Sequence, residues 1–171
     1  RSQSLRLNYR GFTQQPYVTQ LQDVVNNSSI MYVRAGNPLL KQEFTNRLEA
    51  TYNFLNKRKT NNLSVSVNAS TTARKISNAI TLNTSGANLL VDGYSLPNGA
   101  QYIKPLNLDG AYASGINIHY SISMKNPKSS INIMSWINNS REVSLFNAVK
   151  GYTFRDTYGG RLNFNLNLKD W

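Results

Sequence analysis

Strict alternation of apolar and polar side chains is the feature that most constrains this chain. Between 161 and 168, for example, Leu162, Phe164 and Leu166 alternate with asparagines. Successive side chains of a β-strand point to opposite faces, so this period predicts strands with one apolar and one polar face. Six such segments are predicted, at 4–10, 43–55, 63–70, 112–124, 130–138 and 161–168. No apolar repeat of helical period extends beyond about one turn, so the sequence predicts an all-β fold.

The connections between these segments alternate in length. The stretches 56–62 and 125–129 are short and polar, whereas 11–42, 71–111 and 139–160 are long. Because successive strands run in opposite directions, the three long connections fall at one end of the sheet. Membrane β-barrels have short turns on one side and long loops on the other. The sequence therefore predicts an antiparallel up-and-down β-barrel segment of about six to eight strands, with long loops at one end and short turns at the other.

Alternation alone does not identify the partner of the apolar face. In a β-sandwich the same side chains would pack against a second sheet. A soluble, secreted β-sandwich that binds carbohydrate therefore stands as an alternative. Aromatic residues near strand ends favour the membrane interpretation, because aromatic girdles lie at both interfaces of membrane barrels. These residues are Tyr9, Tyr52, Phe54, Tyr112 and Tyr120.

Composition argues against several classes of function. The chain has no cysteine, which excludes disulfides, thiol catalysis and cysteine zinc sites. His119 is the only histidine and the carboxylates are dispersed, so we expect no enzyme, no metal site and no cofactor. The net charge of +11 is typical of nucleic-acid binders. Its basic residues are scattered, however, and the densest group, 57–59, falls in a predicted turn, so nucleic acid is not an expected partner.

A short motif follows the first long connection. It consists of Gly36, Asn37 and Pro38, then Leu40 and Lys41, just before the second predicted strand. Asn37 precedes a proline and is therefore held extended, which makes the motif a device for entering a strand. A strand, a long loop, this motif and a second strand together resemble the barrel of TonB-dependent outer-membrane receptors of Gram-negative bacteria. The stretch 105–112 is similar to a lead-in to a later strand in the same receptors.

This resemblance implies a single partial barrel domain over 1–171, with no plug domain and no signal peptide in this chain. The parent protein would lie in the cell outer membrane and import a nutrient, such as a glycan, a metal chelate or a peptide. Its partners would be outer-membrane lipid, the plug domain and the TonB complex. The motif residues Gly36, Asn37, Pro38, Leu40 and Lys41 would mark a position in the barrel rather than contact ligand.

The long connections contain aromatic and basic residues suited to ligand contact. Exposed aromatic rings stack on sugars or cap apolar ligands, and loops on a rigid scaffold commonly carry function. The predicted ligand-binding residues are Tyr17, Tyr32, Arg34, Tyr94, Tyr102, Tyr152, Arg155 and Tyr158. Packing of the loops against one another is the alternative role for each of them.

Overall fold

The computed structural model describes residues 2–56, 60–124 and 128–166. The basic group 57–59, most of the turn predicted at 125–129 and the last two residues of the strand predicted at 161–168 lie outside these residues. The described elements, in chain order, are β1 (Ser2–Gln14), α1 (Val18–Leu21), β2 (Val25–Asn26), β3 (Tyr32–Ala35), β4 (Glu43–Asn56), β5 (Asn61–Ala73), β6 (Lys75–Leu82), β7 (Leu89–Val91), β8 (Tyr94–Leu96), β9 (Gln101–Leu108), β10 (Ala111–Met124), β11 (Ser129–Phe146) and β12 (Val149–Leu166). The all-β prediction is confirmed. Within the described part of the chain, no helix is both long and apolar enough to cross a membrane.

Six long strands form one antiparallel sheet in the order β1, β4, β5, β10, β11 and β12. They correspond to the six predicted segments. Residues that pair across neighbouring strands share a face of the sheet. One row of paired residues contains Leu7, Ala50, Val67, Ile116, Ile137 and Tyr158. We call the side of the sheet that carries this row the apolar face.

The opposite side of the same sheet is hydrophilic. Its adjacent row contains Arg6, Thr51, Ser66, Asn117, Trp136 and Gly159. We call this side the polar face. Its largest aromatic, Trp136, lies over Gly159, where an added Cβ would come within 2.4 Å of the indole. The glycine therefore makes room for a ring that fills the surface of the neighbouring strand.

The six-strand sheet is open, and its apolar face is not covered. Among the described residues, β1 pairs only with β4 and β12 only with β11. Side chains of the apolar face remain exposed to 66% at Leu7, 82% at Tyr158 and 70% at Leu162. The largest fully buried apolar side chains, Val33 and Leu96, lie elsewhere, in the connections at one end of the sheet.

The prediction of a loop over 139–160 was wrong. β11 and β12 continue through this stretch as a paired hairpin that is closed by Asn147 and Ala148. Both turn residues have positive φ, 47° and 64°, as in the type I′ turn that suits a two-residue hairpin. Alanine rarely adopts this conformation, so the true turn gave no clear signal. The pair Gly159 and Gly160, which resembles a turn, lies inside β12 instead.

The other two long connections contain strands as well. β6 runs parallel to the end of β11, β9 pairs antiparallel with β6, and β3 pairs parallel with β9. The small hairpin of β7 and β8 forms a second sheet. We call residues 15–42 and 74–110 the cap. With the cap strands included, the described chain has twelve strands with mixed pairing, against the six to eight antiparallel strands expected. The cap strands were missed because most are short and their alternation is broken.

Candidate functional site

The cap has its own hydrophobic core. Val33, Leu96, Ala100 and Tyr102 are buried, and Tyr94 packs against them. Beside this core, the side chain of Asn83 is 1% exposed and donates hydrogen bonds to the carbonyl oxygens of Ala87 and Leu96 at 2.7 and 2.8 Å. Buried backbone oxygens are thus satisfied by a buried amide. The cap is therefore a packed unit rather than a set of independent loops.

An ion pair lies at the edge of this core. The Lys104 ammonium donates to the Asp92 carboxylate at 2.6 Å, and the Tyr102 hydroxyl donates to the same oxygen at 3.3 Å. The hydrogen bond from Lys104 holds the pKa of Asp92 below its usual value. Burial, followed by the nearby Asp92 charge, raises the pKa of Tyr102 to about 12. Tyr102 thus serves the packing of the cap as a neutral phenol.

The Gly-Asn-Pro motif joins the cap to the six-strand sheet. A Cβ on Gly36 would lie 1.9 Å from the carbonyl oxygen of Gln22, so only glycine permits this approach of two backbones. The next backbone amide, of Asn37, donates to the Gln20 carbonyl oxygen at 2.6 Å. The Asn37 side chain, which is buried, donates to the carbonyl oxygen of Pro105 at 3.0 Å. The motif therefore fixes the α1 segment against β9.

The second part of the motif bonds to the 105–112 stretch. The Asn107 side chain accepts a hydrogen bond from the Lys41 amide at 2.7 Å and donates to the Lys41 carbonyl oxygen at 2.8 Å. It also donates to the carbonyl oxygen of Arg74 at 2.7 Å. In turn, the Arg74 amide donates to the Asp109 carboxylate at 2.7 Å. The two stretches that carry the family resemblance thus form one hydrogen-bonded junction.

A cavity of about 480 Å³ opens beside this junction. It is lined by Thr19, Gln20, Gln22, Val24, Asn26, Arg34, Ala35, Asn78, Ile103 and Pro105. Its floor is the face of β3, β9 and β6 that continues the polar face, because Arg34 pairs with Ile103, Ile103 with Ile80, and Ile80 with Phe146 of β11. The α1 segment forms one wall. The cavity therefore opens on the hydrophilic side of the molecule.

Arg34 gives this cavity a positive charge. It is exposed, and within 2–56, 60–124 and 128–166 it takes part in no ion pair. The other polar side chains that line the cavity are amides or hydroxyls, which donate and accept hydrogen bonds but carry no charge. One guanidinium among uncharged hydrogen-bonding groups suits a hydrophilic ligand with an anionic or hydroxyl group. Ile103 and Pro105 offer an apolar surface for its remaining part.

The predicted ligand-binding residues lie in three places. Tyr32 and Arg34 share one face of β3, and Tyr17 stands exposed just before α1. Tyr94 and Tyr102 belong to the cap core. The remaining three lie on β12, where Arg155 projects from the polar face and Tyr152 and Tyr158 project from the apolar face. The structure thus brings only Arg34 into the cavity wall.

Several lining residues were not predicted from the sequence. Gln20, Gln22, Asn26 and Asn78 are polar residues of unremarkable spacing, and the fold brings them together from the α1 segment, β2 and β6. Gln20 and Gln22 lie beside Gly36 only in the folded chain, so no local signal in the sequence points to them.

Comparison with protein families identifies the family of the chain. No curated protein matches the chain significantly. The profile of a family described as "Outer membrane protein beta-barrel family" matches residues 1–171. This match agrees with the all-β fold and with the exposed apolar face of the six long strands. The chain therefore belongs to the outer membrane protein beta-barrel family.

Proposed function

We propose that this chain is the barrel portion of a TonB-dependent outer-membrane receptor that imports a nutrient. The observation that carries the proposal is the exposed apolar face, which extends across six antiparallel strands. Such a face, exposed to this degree, requires an apolar partner. Lipid supplies that partner for a membrane barrel.

The length and stagger of the apolar face support a membrane barrel. On β4 it extends from Phe44 to Phe54, a distance of about 33 Å along the strand, which spans the hydrocarbon layer at a tilt of about 45°. Leu7, in the middle of the apolar run of β1, shares its row with Tyr158. The apolar run of β12 is centred on Leu162, four residues further along. This shift along the row is the stagger that tilted barrel strands produce.

The polar face would line the barrel interior. Its charged residues in the six strands include Arg6, Arg10, Arg47, Arg155 and Arg161. The free edges of β1 and β12 carry backbone groups that must be paired in lipid, so further strands would complete the barrel. The TonB dependence rests on the resemblance carried by Gly36 to Lys41 and by the 105–112 stretch. The proposal assigns no catalytic reaction to the chain.

The β-sandwich alternative requires a second sheet over the apolar face. The only separate sheet among the described residues is the hairpin of β7 and β8, with three residues in each strand. Its residues Val91, Tyr94 and Leu96 belong to the cap core rather than covering the six-strand sheet. The sandwich interpretation is therefore the less favoured one.

Adjacent residues of β10 provide a matched test. Ile118 lies on the apolar face and Asn117 on the polar face. An arginine on the lipid side near the bilayer centre costs about 2–4 kcal/mol, whereas lumen positions tolerate it. We expect Ile118→Arg to reduce the folded, heat-modifiable species in outer membranes and Asn117→Arg to leave it near the wild-type level. Equal folding of both variants, or a wild-type protein that stays soluble without detergent, would overturn the membrane assignment.

Import is tested separately in cells. Strains with and without this protein, each with TonB intact or deleted, are grown on single carbon or iron sources. The proposal expects at least one source on which growth requires both the protein and TonB, and on which Arg34→Gln slows growth. Growth that depends on the protein but not on TonB would be compatible with a membrane barrel and would refute the coupling of import to TonB.

A further inference from the structure

The charged residues on the apolar face are confined to one end of one hairpin. In the described parts of the six strands they are Arg141, Lys150 and Asp156, all in β11 and β12 on the cap side. Asp156 accepts a hydrogen bond from the Asn139 side chain beside it. The two cations, Arg141 and Lys150, form no ion pair with Asp156 among the described residues.

Arg141 is held between two aromatic rings. Its guanidinium carbon lies 4.7 Å from the centroid of the Tyr112 ring and 4.9 Å from that of Tyr152. Its Nε donates to the carbonyl oxygen of Gly110 at 2.7 Å. Stacking and this single hydrogen bond fix the plane of the guanidinium while its terminal nitrogens keep their donors. The group is thus positioned in advance for an anion.

Lys150 lies on the same tyrosine. Its Nζ is 5.6 Å from the Tyr152 centroid and donates to the carbonyl oxygen of Asp109 at 2.6 Å. Both cationic groups therefore contact the same aromatic ring. Within the described residues, neither forms an ion pair, whereas Lys75 and Lys104 of the cap are paired with Glu43 and Asp92.

The height of this pair fits the lipid headgroups. Arg141 lies four residues beyond Ile137 on β11, or about 13 Å along the strand. At a tilt of about 45° this places Arg141 about 9 Å above Ile137, towards the cap. The aromatic rings beside it are typical of that interfacial layer.

We propose that Arg141 and Lys150 form a binding site for the phosphate of a lipid headgroup in the outer leaflet. The inference rests on the proposed membrane orientation of the apolar face. The guanidinium gives paired donors and the ammonium a point charge, both suited to phosphate oxygens. Because the pair sits on the lipid side, a headgroup reaches it directly from the bilayer. The site would hold the β11–β12 hairpin, and with it the cap, at a fixed height.

The test uses the protein purified from outer membranes in detergent, with lipopolysaccharide as the probe, measured by native mass spectrometry. Arg141→Gln/Lys150→Gln should weaken binding at least about tenfold, the effect of losing one charge-assisted contact. The matched control is Arg155→Gln/Arg161→Gln, which removes two cations from the polar face of β12 and should bind like wild type. Arg141→Lys keeps the charge and should bind more tightly than the double variant.

Further arms identify the source of the phosphate. Dephosphorylated lipopolysaccharide should bind the wild-type protein as weakly as intact lipopolysaccharide binds the double variant. Millimolar inorganic phosphate should not displace the intact lipid. Equal binding by wild type and the double variant, or displacement by free phosphate, would overturn the inference. A wild-type protein that lies in the outer membrane yet binds no phosphorylated lipid refutes this site alone. A protein absent from the membrane refutes the proposed function.

Discussion

The substitution Gly36→Ala tests whether the motif works through close backbone contact. The added Cβ would lie 1.9 Å from the Gln22 carbonyl oxygen and 3.0 Å from that of Gln20. Ordinary contacts of this kind need about 3.5 Å, so the α1 segment must retreat by roughly 1.5 Å. Overpacking of this kind costs about 1–3 kcal/mol. Loss of the hydrogen bond from the Asn37 amide to Gln20 adds about 1 kcal/mol. The expected local destabilisation is therefore about 2–4 kcal/mol.

Hydrogen exchange of the detergent-solubilised protein measures this directly. The amides of β2 and of Asn37 should exchange faster in Gly36→Ala by about 30- to 1000-fold, while β4 and β5 keep their protection. The control is Gly151→Ala, whose Cβ would meet nothing closer than the Ser144 hydroxyl at 3.5 Å. Unchanged exchange at β2 in Gly36→Ala would refute the argument, and equal loss of protection in β4 would show a global rather than a local effect.

Three further predictions concern packing, pH and the junction. Gly159→Ala should lower the unfolding free energy by about 1–2 kcal/mol because its Cβ meets the Trp136 ring. Gly160→Ala should be neutral or slightly stabilising in the same urea titration, and Trp136→Ala should remove the penalty. The pKa of Tyr102 is raised to about 12, so its neutral hydroxyl contributes fully to cap stability below pH 10. Between pH 10 and 12 this contribution, about 2–3 kcal/mol, is lost. Hydrogen exchange of the cap amides in Tyr102→Phe should lack this pH dependence. Asn107→Ala should destabilise the junction by about 1–3 kcal/mol, seen as faster exchange at Lys41.

The six long strands could be predicted because one apolar and one polar face impose a period of two along their whole length. The register follows from the same constraint, since a slip of one residue would move Ile116 and Val67 to the polar face. The length of the β11–β12 hairpin could not be predicted. Its turn depends on Ala148 in a conformation that is costly for alanine, while Gly159 and Gly160 gave a stronger but misleading turn signal.

The cap escaped prediction for a different reason. Its strands β3, β6 and β9 pair with partners far away in the chain, and their burial comes from one another rather than from a repeated environment. Tyr102 was predicted to face ligand because it lies in a long connection, yet it packs beside Val33 and Leu96. Arg34 was predicted for its charge and does line the cavity, whereas Gln22 and Asn78 have no local pattern that distinguishes them from other polar residues.

The junction between Gly36–Lys41 and the 105–112 stretch also constrains the order of folding. Asn37 and Lys41 bond to partners 68 and 66 residues away, and the strands β4, β5 and β6 lie between them. Hairpins such as β4–β5 and β10–β11 join neighbours in the chain and can form early, whereas contacts of such long sequence separation form slowly. The cap cavity therefore closes only after the strands beneath it have paired. A chain built this way completes this cavity last, so an incompletely folded copy would lack it.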